Sequence, residues 1–126
     1  LKKNIIFISD VSFKLKNSLI KTADFFIMPS IQVEKSVEGF GISFLEAAKY
    51  GTPSIGGIVG GASDIIKHKE SGLLCDGEKY EEIYESLLKM MEKDNFKSMG
   101  QYAKELSKKF LWDAQIKKYL DFIKIN

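Results

Sequence analysis

Two carboxylates, Glu38 and Glu46, stand eight positions apart with Gly39, Phe40, Gly41, Ile42 and Ser43 between them. The two glycines let the backbone turn sharply and let a ligand come close. The residues from Gly41 onward read as a helix start, where free N–H groups and the positive end of the helix dipole face outward. Anions bind readily at such a place. The stretch therefore combines an anion cradle with an acid on either side, Glu38 on the preceding loop and Glu46 about a turn into the helix. A diphosphate at the helix start, with hydroxyl-rich rings at each carboxylate, has the chemistry to fill it.

The elements around this stretch alternate. Asn4 to Ile8 is a short apolar run and reads as a buried strand. Ser12 to Thr22 has rough helical spacing through Phe13, Leu15, Leu19 and Ile20. Asp24 to Met28 reads as a strand closed by Pro29, residues 31–37 as a loop, and Gly41 to Tyr50 as a helix with Ile42, Leu45 and Lys49 on one side. Gly51 fits the position just past its end. A strand at Pro53–Ile55, a loop carrying Gly56, Gly57, Gly60 and Gly61, a short helix from Ala62 to Lys67 and a strand from Gly72 to Cys75 follow. Lys79 to Lys93 is amphipathic, with Ile83, Leu87, Leu88 and Met91 at helical spacing. Asp94-Asn95 reads as a turn or cap, Phe96 to Phe110 as a helix, and Asp113 as the cap of a last helix from Ala114 to Ile125. Strands alternating with helices predict an α/β fold, a Rossmann-like parallel sheet with flanking helices, over a single domain of residues 1–126.

Composition narrows the function classes. Of 126 residues, 44% are hydrophobic and 29% charged, as in ordinary globular proteins. A net charge of +2 gives no ground for a nucleic-acid partner. The single cysteine, Cys75, rules out an intrachain disulfide and fits a cytoplasmic setting. No apolar run approaches the roughly 20 residues of a membrane span. No cluster of His, Cys, Asp or Glu has metal-ligand spacing, so neither metal nor cofactor is expected.

The sequence blocks resemble those of retaining glycosyltransferases with the two-domain GT-B fold, in particular the large group-4 family (glycosyl transferases group 1). Glu38 to Glu46 resembles that family's E-x7-E motif, and Ala23 to Ser30 the strand before it. Glu46 to Pro53 resembles its helix and turn, Gly60 to Ile66 its Gly-Gly-x-x-Glu element with Asp64 in place of glutamate, Ser71 to Leu74 its Gly-Leu-Leu strand, and Phe110 to Trp112 the lead-in to its last helix. The blocks occur in family order along nearly the whole chain. The absence of an Asp-x-Asp motif sets the sequence apart from metal-dependent GT-A enzymes.

The resemblance implies that the chain is part of the C-terminal, nucleotide-sugar-binding domain of a transferase that moves a hexose to a lipid or saccharide acceptor with retention, in polysaccharide, glycolipid or envelope synthesis. It begins partway through the family's second domain. The acceptor-binding first domain and the family's phosphate-binding Arg/Lys pair are then expected elsewhere, on a longer chain or a partner, and this chain alone is expected to be inactive. By the same resemblance Glu38 contacts the donor sugar, and Gly39, Phe40, Gly41, Ile42 and Ser43 bind the diphosphate side of the donor. Glu46 takes the ribose hydroxyls, and Val11 and Phe13 lie near the base.

Plainer readings stand beside these. Glu38 could be a solvated loop acid, Glu46 an i,i+3 partner of Lys49, and Val11 and Phe13 core residues at a helix start. His68 reads as an exposed helix end, Cys75 as a small core residue and Trp112 as a packing anchor. Lys117-Lys118 could touch a membrane surface, though paired lysines usually mark a solvated face. Two further function classes remain open: a non-catalytic nucleotide-binding module acting with a partner subunit, and a GT-B phosphorylase-type or sucrose- or trehalose-type enzyme.

Overall fold

A computed structural model describes residues 2–32 and 41–125. Among them, three short parallel strands form one sheet in the order β1–β2–β3: β1 (Phe26–Met28), β2 (Ser54–Gly57) and β3 (Gly72–Cys75). Ile27 pairs with Ile55 and Ile55 with Leu73, which fixes the register. Parallel neighbours need crossover connections. Here α2 (Ile42–Tyr50) lies between β1 and β2 in the chain, and the four-residue helix α3 (Ala62–Ile65) between β2 and β3. Before the sheet comes α1 (Phe13–Thr22); after it come α4 (Tyr80–Met91), α5 (Asn95–Ser107) and α6 (Trp112–Ile125).

Side chains alternate across the sheet, and each face is covered by helices. On one face, Ile55, Leu73 and Cys75 pack with Met90 and Met99, with Ile83, Leu87 and Phe96 of α4 and α5 closing around them. On the other face, Phe44, Ala62, Ile65 and Ile66 pack with Phe26, Met28 and Leu74. Phe44 has no exposed surface and meets Phe26 edge-on, ring centroids 5.8 Å apart. In α2 the buried set is Phe44, Ala47 and Ala48, the i, i+3, i+4 stripe of a helix lying on a sheet.

Local chemistry sets the helix ends. The Ser12 hydroxyl accepts from the Leu15 N–H at 3.2 Å and caps α1. Gly51, at φ +80°, ends α2 in the left-handed conformation, its N–H donating to the Ala48 carbonyl. A Cβ on Gly100 would run into the Gly51 carbonyl oxygen, so α5 crosses the end of α2 at backbone contact.

Four expectations are corrected. Ile5 to Ile8 form no strand: Lys2–Asn4 is a 3-10 turn, and Ile6 and Phe7 are 83% and 94% exposed. An apolar run becomes a strand only with a neighbour to pair with, and β1 pairs with β2 alone among the described strands. The helix expected to Phe110 stops at Ser107 and finishes in a 3-10 turn, Lys108–Phe110. The last helix begins at Trp112, so Asp113 lies inside its first turn rather than capping it. Trp112 is 75% exposed and anchors no core here.

Candidate functional site

The carboxyl ends of the three strands converge. A Cβ on Gly57, the last residue of β2, would collide with Ser30, two residues beyond β1. A Cβ on Gly77, just past β3, would collide with the carbonyls of Pro29 and Ser30. In open parallel sheets this edge is where ligands bind. The loop from Ile58 to Gly61 leaves β2 here, and the α2 N-terminus backs onto it: a Cβ on Gly41 would lie 3.5 Å from the Gly61 carbonyl oxygen.

Gly41 stands at the N-cap position of α2 with φ +76° and ψ 45°. This left-handed turn suits glycine, and the same Cβ would press to 2.8 Å from the Phe44 ring. Phe44 N–H donates to the Gly41 carbonyl at 2.9 Å and opens the helical ladder. The Ile42 and Ser43 N–H groups therefore have no carbonyl of their own helix to reach. Buried Phe44 fixes the helix against the sheet, while Ile42 is 65% exposed and Ser43 half-buried. Of the sequence-predicted site, Glu38, Gly39 and Phe40 lie outside the described residues.

Glu46 is one turn further on. Both of its carboxylate oxygens accept from the Lys16 ammonium, Oε1 at 2.8 Å and Oε2 at 3.0 Å. Thus the partner of Glu46 is on α1, thirty residues away, and not Lys49 on its own helix. The two side chains keep 38% and 26% of their surface exposed, so the pair contributes only about 0.2–1 kcal/mol to stability. Its geometric effect is larger: one ammonium holds the plane of the carboxylate. A carboxylate offers about four acceptor positions, and an ammonium on two of them leaves two for other donors.

The same ammonium lies 5.1 Å from the centroid of the Phe13 ring, a cation–π contact within α1. Phe13 is 70% exposed and Val11 37% exposed, which overturns the reading of the pair as core residues. Lys16 is the residue that sequence reasoning missed. Its i,i+3 spacing from Phe13 was visible in the chain; its contact with Glu46 is tertiary and has no signal in spacing. Next to Glu46, a cleft of about 180 Å³ opens between α2 and the turn after α5, with apolar walls from Ile42, Leu45, Phe110 and Leu111. Ile42, Leu45 and Lys49 share this side of α2, as their spacing predicts.

The other titratable groups lie elsewhere. His68 Nδ1 accepts from the Leu74 N–H at 2.9 Å beside the His68–Gly72 bridge, so it belongs to the approach to β3 and not to a helix end. Partial burial, then the charges of Lys69 and Lys89, hold its pKa below the ordinary value. Burial pushes the Cys75 thiol up, consistent with an inert core residue. No group of three or more His, Cys, Asp or Glu among the described residues could hold a metal ion. None of the described helices is long and apolar enough to cross a membrane.

Residues 1–106 match the family model described as "Glycosyl transferases group 1". The chain is 33% identical over 106 residues to the GDP-mannose-dependent alpha-(1-6)-phosphatidylinositol monomannoside mannosyltransferase of Mycobacterium tuberculosis, a match covering 81% of this chain and 28% of that protein. Its fold superposes on the sucrose-phosphate synthase of Thermosynechococcus elongatus with a TM-score of 0.80 at 20% identity, over 98% of this chain and 31% of the other. Anabaena HepE, solved in complex with UDP, gives a TM-score of 0.67 at 21% identity, over 82% of this chain and 29% of the other. The chain thus spans 28–31% of the length of these proteins.

Proposed function

Since this chain belongs to the group 1 glycosyl transferases, we propose that it is the donor-binding part of an enzyme that transfers a hexose from a nucleotide diphosphate-sugar, with retention, to a saccharide or lipid-linked acceptor. The observation that carries this reading is the pairing of two features on α2. Its N-terminus is opened by left-handed Gly41 at the carboxyl edge of the sheet, and Glu46, one turn on, is held with its carboxylate plane fixed.

The work divides by chemistry. The Gly41, Ile42 and Ser43 N–H groups take the diphosphate, which carries charge toward the positive end of the helix. Glu46 takes the vicinal ribose hydroxyls, two donors for its two remaining acceptor positions. Val11 and exposed Phe13 lie toward the base. Glu38 takes the donor sugar and favours the positive charge that develops on the ring as the glycosidic bond loosens, as carboxylates do in glycoside hydrolysis. No metal or cofactor is assigned a role. The acceptor enters from the part of the enzyme beyond this chain, in the cytoplasm, where Lys117 and Lys118, both exposed on α6, are the residues to meet an anionic membrane if the acceptor is a lipid.

Support also comes from relatives: the mycobacterial protein is named as GDP-mannose-dependent, and the Anabaena protein was solved with UDP. The test is a titration of the 126-residue chain with UDP, GDP and ADP while backbone amide NMR shifts are recorded. One nucleotide should perturb Gly41, Ile42 and Ser43 selectively, and Glu46→Ala should move the same response to about tenfold higher nucleotide concentration, the size of one or two good hydrogen bonds. Shifts spread over α4 and α5, with α2 silent, would sink the assignment.

A further inference from the structure

We propose that Lys16 is a positioning residue for nucleotide recognition, acting through the Glu46 carboxylate; this deepens the donor-site reading above and rests on it. A free glutamate on a half-exposed helix face rotates about its side-chain bonds, and ordering it on binding costs affinity. Here that ordering is already in place. Lys16 Nζ reaches both oxygens, at 2.8 and 3.0 Å, so the carboxylate can neither turn about its last bond nor swing away without breaking two charge-assisted hydrogen bonds.

The ammonium is itself held from a second direction by the Phe13 ring, 5.1 Å away. Its helix is capped at its first turn by Ser12 and tied to the rest of the fold at its last turn, where the Ile20 carbonyl accepts from buried Thr52 in the segment between α2 and β2. The carboxylate and the cation that aims it thus sit on two helices tied to one another. The pair is too exposed to be a strong stability device. What it supplies is aim: the acceptor positions left on Glu46 are those facing away from Lys16, and they are presented to a diol before any ligand arrives.

The consequence is specific. Losing Lys16 should weaken only what Glu46 recognises, the ribose hydroxyls, and leave diphosphate binding at α2 intact. Isothermal titration calorimetry on the 126-residue chain, using whichever of UDP, GDP and ADP binds most tightly and its 2′,3′-dideoxy counterpart, reads this as a ratio of affinities. The wild-type chain should prefer the ribonucleotide about tenfold, the size of one or two good hydrogen bonds. Lys16→Met keeps the apolar stem and removes the ammonium; it should bring the ratio close to one without altering dideoxynucleotide affinity. Lys16→Arg, whose fork also binds a carboxylate through two hydrogen bonds, should restore the preference.

A Lys16→Met chain that loses both affinities equally, or neither, while Glu46→Ala still removes the preference, would overturn the role of Lys16 and leave Glu46 as the ribose ligand. A wild-type chain with no ribose preference, or with no binding of any of the three nucleotides at millimolar concentration, would overturn the Glu46 assignment, and the role of Lys16 with it. Urea unfolding of each variant separates loss of recognition from loss of fold.

Discussion

The Thr52 hydroxyl donates to the Ile20 carbonyl oxygen at 2.8 Å, a buried hydrogen bond across thirty-two residues. Thr52 follows the Gly51 turn that ends α2, and its own N–H donates to Ala47 within that turn. Ile20 is in the last turn of α1. The bond therefore ties the helix carrying Lys16 to the segment that follows the helix carrying Glu46, about one turn along α1 from the ion pair. Two helices joined at two separated points cannot slide or rotate freely against each other, and the α2 N-terminus keeps its setting at the sheet edge.

Thr52→Val removes this donor and keeps the shape. The Ile20 carbonyl retains a longer bond, 3.3 Å, from the Ala23 N–H, so the cost should fall near the low end for an unmade buried hydrogen bond, about 1–2 kcal/mol. Urea unfolding measures it. The urea dependence should be unchanged, because the surface exposed on unfolding is the same.

Gly41→Ala tests the left-handed turn that opens the candidate site. At φ +76° an alanine carries a conformational cost of about 1–2 kcal/mol, and its Cβ would press on the Phe44 ring at 2.8 Å. Relief comes by moving the first turn of α2, which redirects the Ile42 and Ser43 N–H groups. We expect a destabilisation somewhat above the conformational cost alone and, in the calorimetric assay, a loss of diphosphate-dependent affinity for ribo- and dideoxynucleotides alike. Unchanged affinity in a folded variant would remove the α2 N-terminus from the site.

Stability should fall in two steps on acidification. The folded chain holds His68 below its ordinary pKa of 6.5, so just below that pH the unfolded chain binds more protons and stability drops as pH falls, levelling once the folded-state value is passed. Physically, protonation ends the acceptor role of Nδ1 toward the Leu74 N–H. His68→Asn, whose amide oxygen can accept the same bond without titrating, should flatten this first limb. Asp76 and Glu82 give the second limb. The Glu78 N–H and then Lys79 depress Asp76; the Asp76 N–H and then Lys79 depress Glu82. Stability from these carboxylates is present above their ordinary values of 3.8 and 4.5 and is lost as pH falls through the lower folded ones. Thermal melts at a series of pH values, for the wild type and His68→Asn, separate the limbs.

The residues that wrote themselves clearly into the sequence are those whose local pattern and tertiary setting agree. Gly72–Cys75 forms a strand with the bounds its apolar run suggests, and Gly51 ends α2 as a glycine after a helical stripe should. The helix start at Gly41 in the candidate site was equally legible, because a helix N-terminus behind glycines is a local feature. Lys16 was not, since its partner is set by how α1 lies on α2. Trp112 misled for the converse reason: a large aromatic has a strong intrinsic tendency toward burial, but burial depends on what faces it, and on α6 it is exposed.

The contrast between Phe7 and Phe44 turns that lesson into a measurement. By composition both belong to apolar runs of core type. In the structure Phe44 is fully buried against Phe26, Ala62 and the sheet, whereas Phe7 is 94% exposed. Phe44→Ala leaves a cavity and removes an aromatic pair, and should cost about 3–5 kcal/mol, a large share of the roughly 5–15 kcal/mol that holds a domain together. Phe7→Lys puts a charge where water already is and should shift stability by no more than about 0.5 kcal/mol. Urea midpoints of the two variants decide it. A Phe7→Lys penalty approaching that of Phe44→Ala would mean that the run from Ile5 to Ile8 packs as the buried strand its sequence suggests, and that the sheet continues beyond the three strands described.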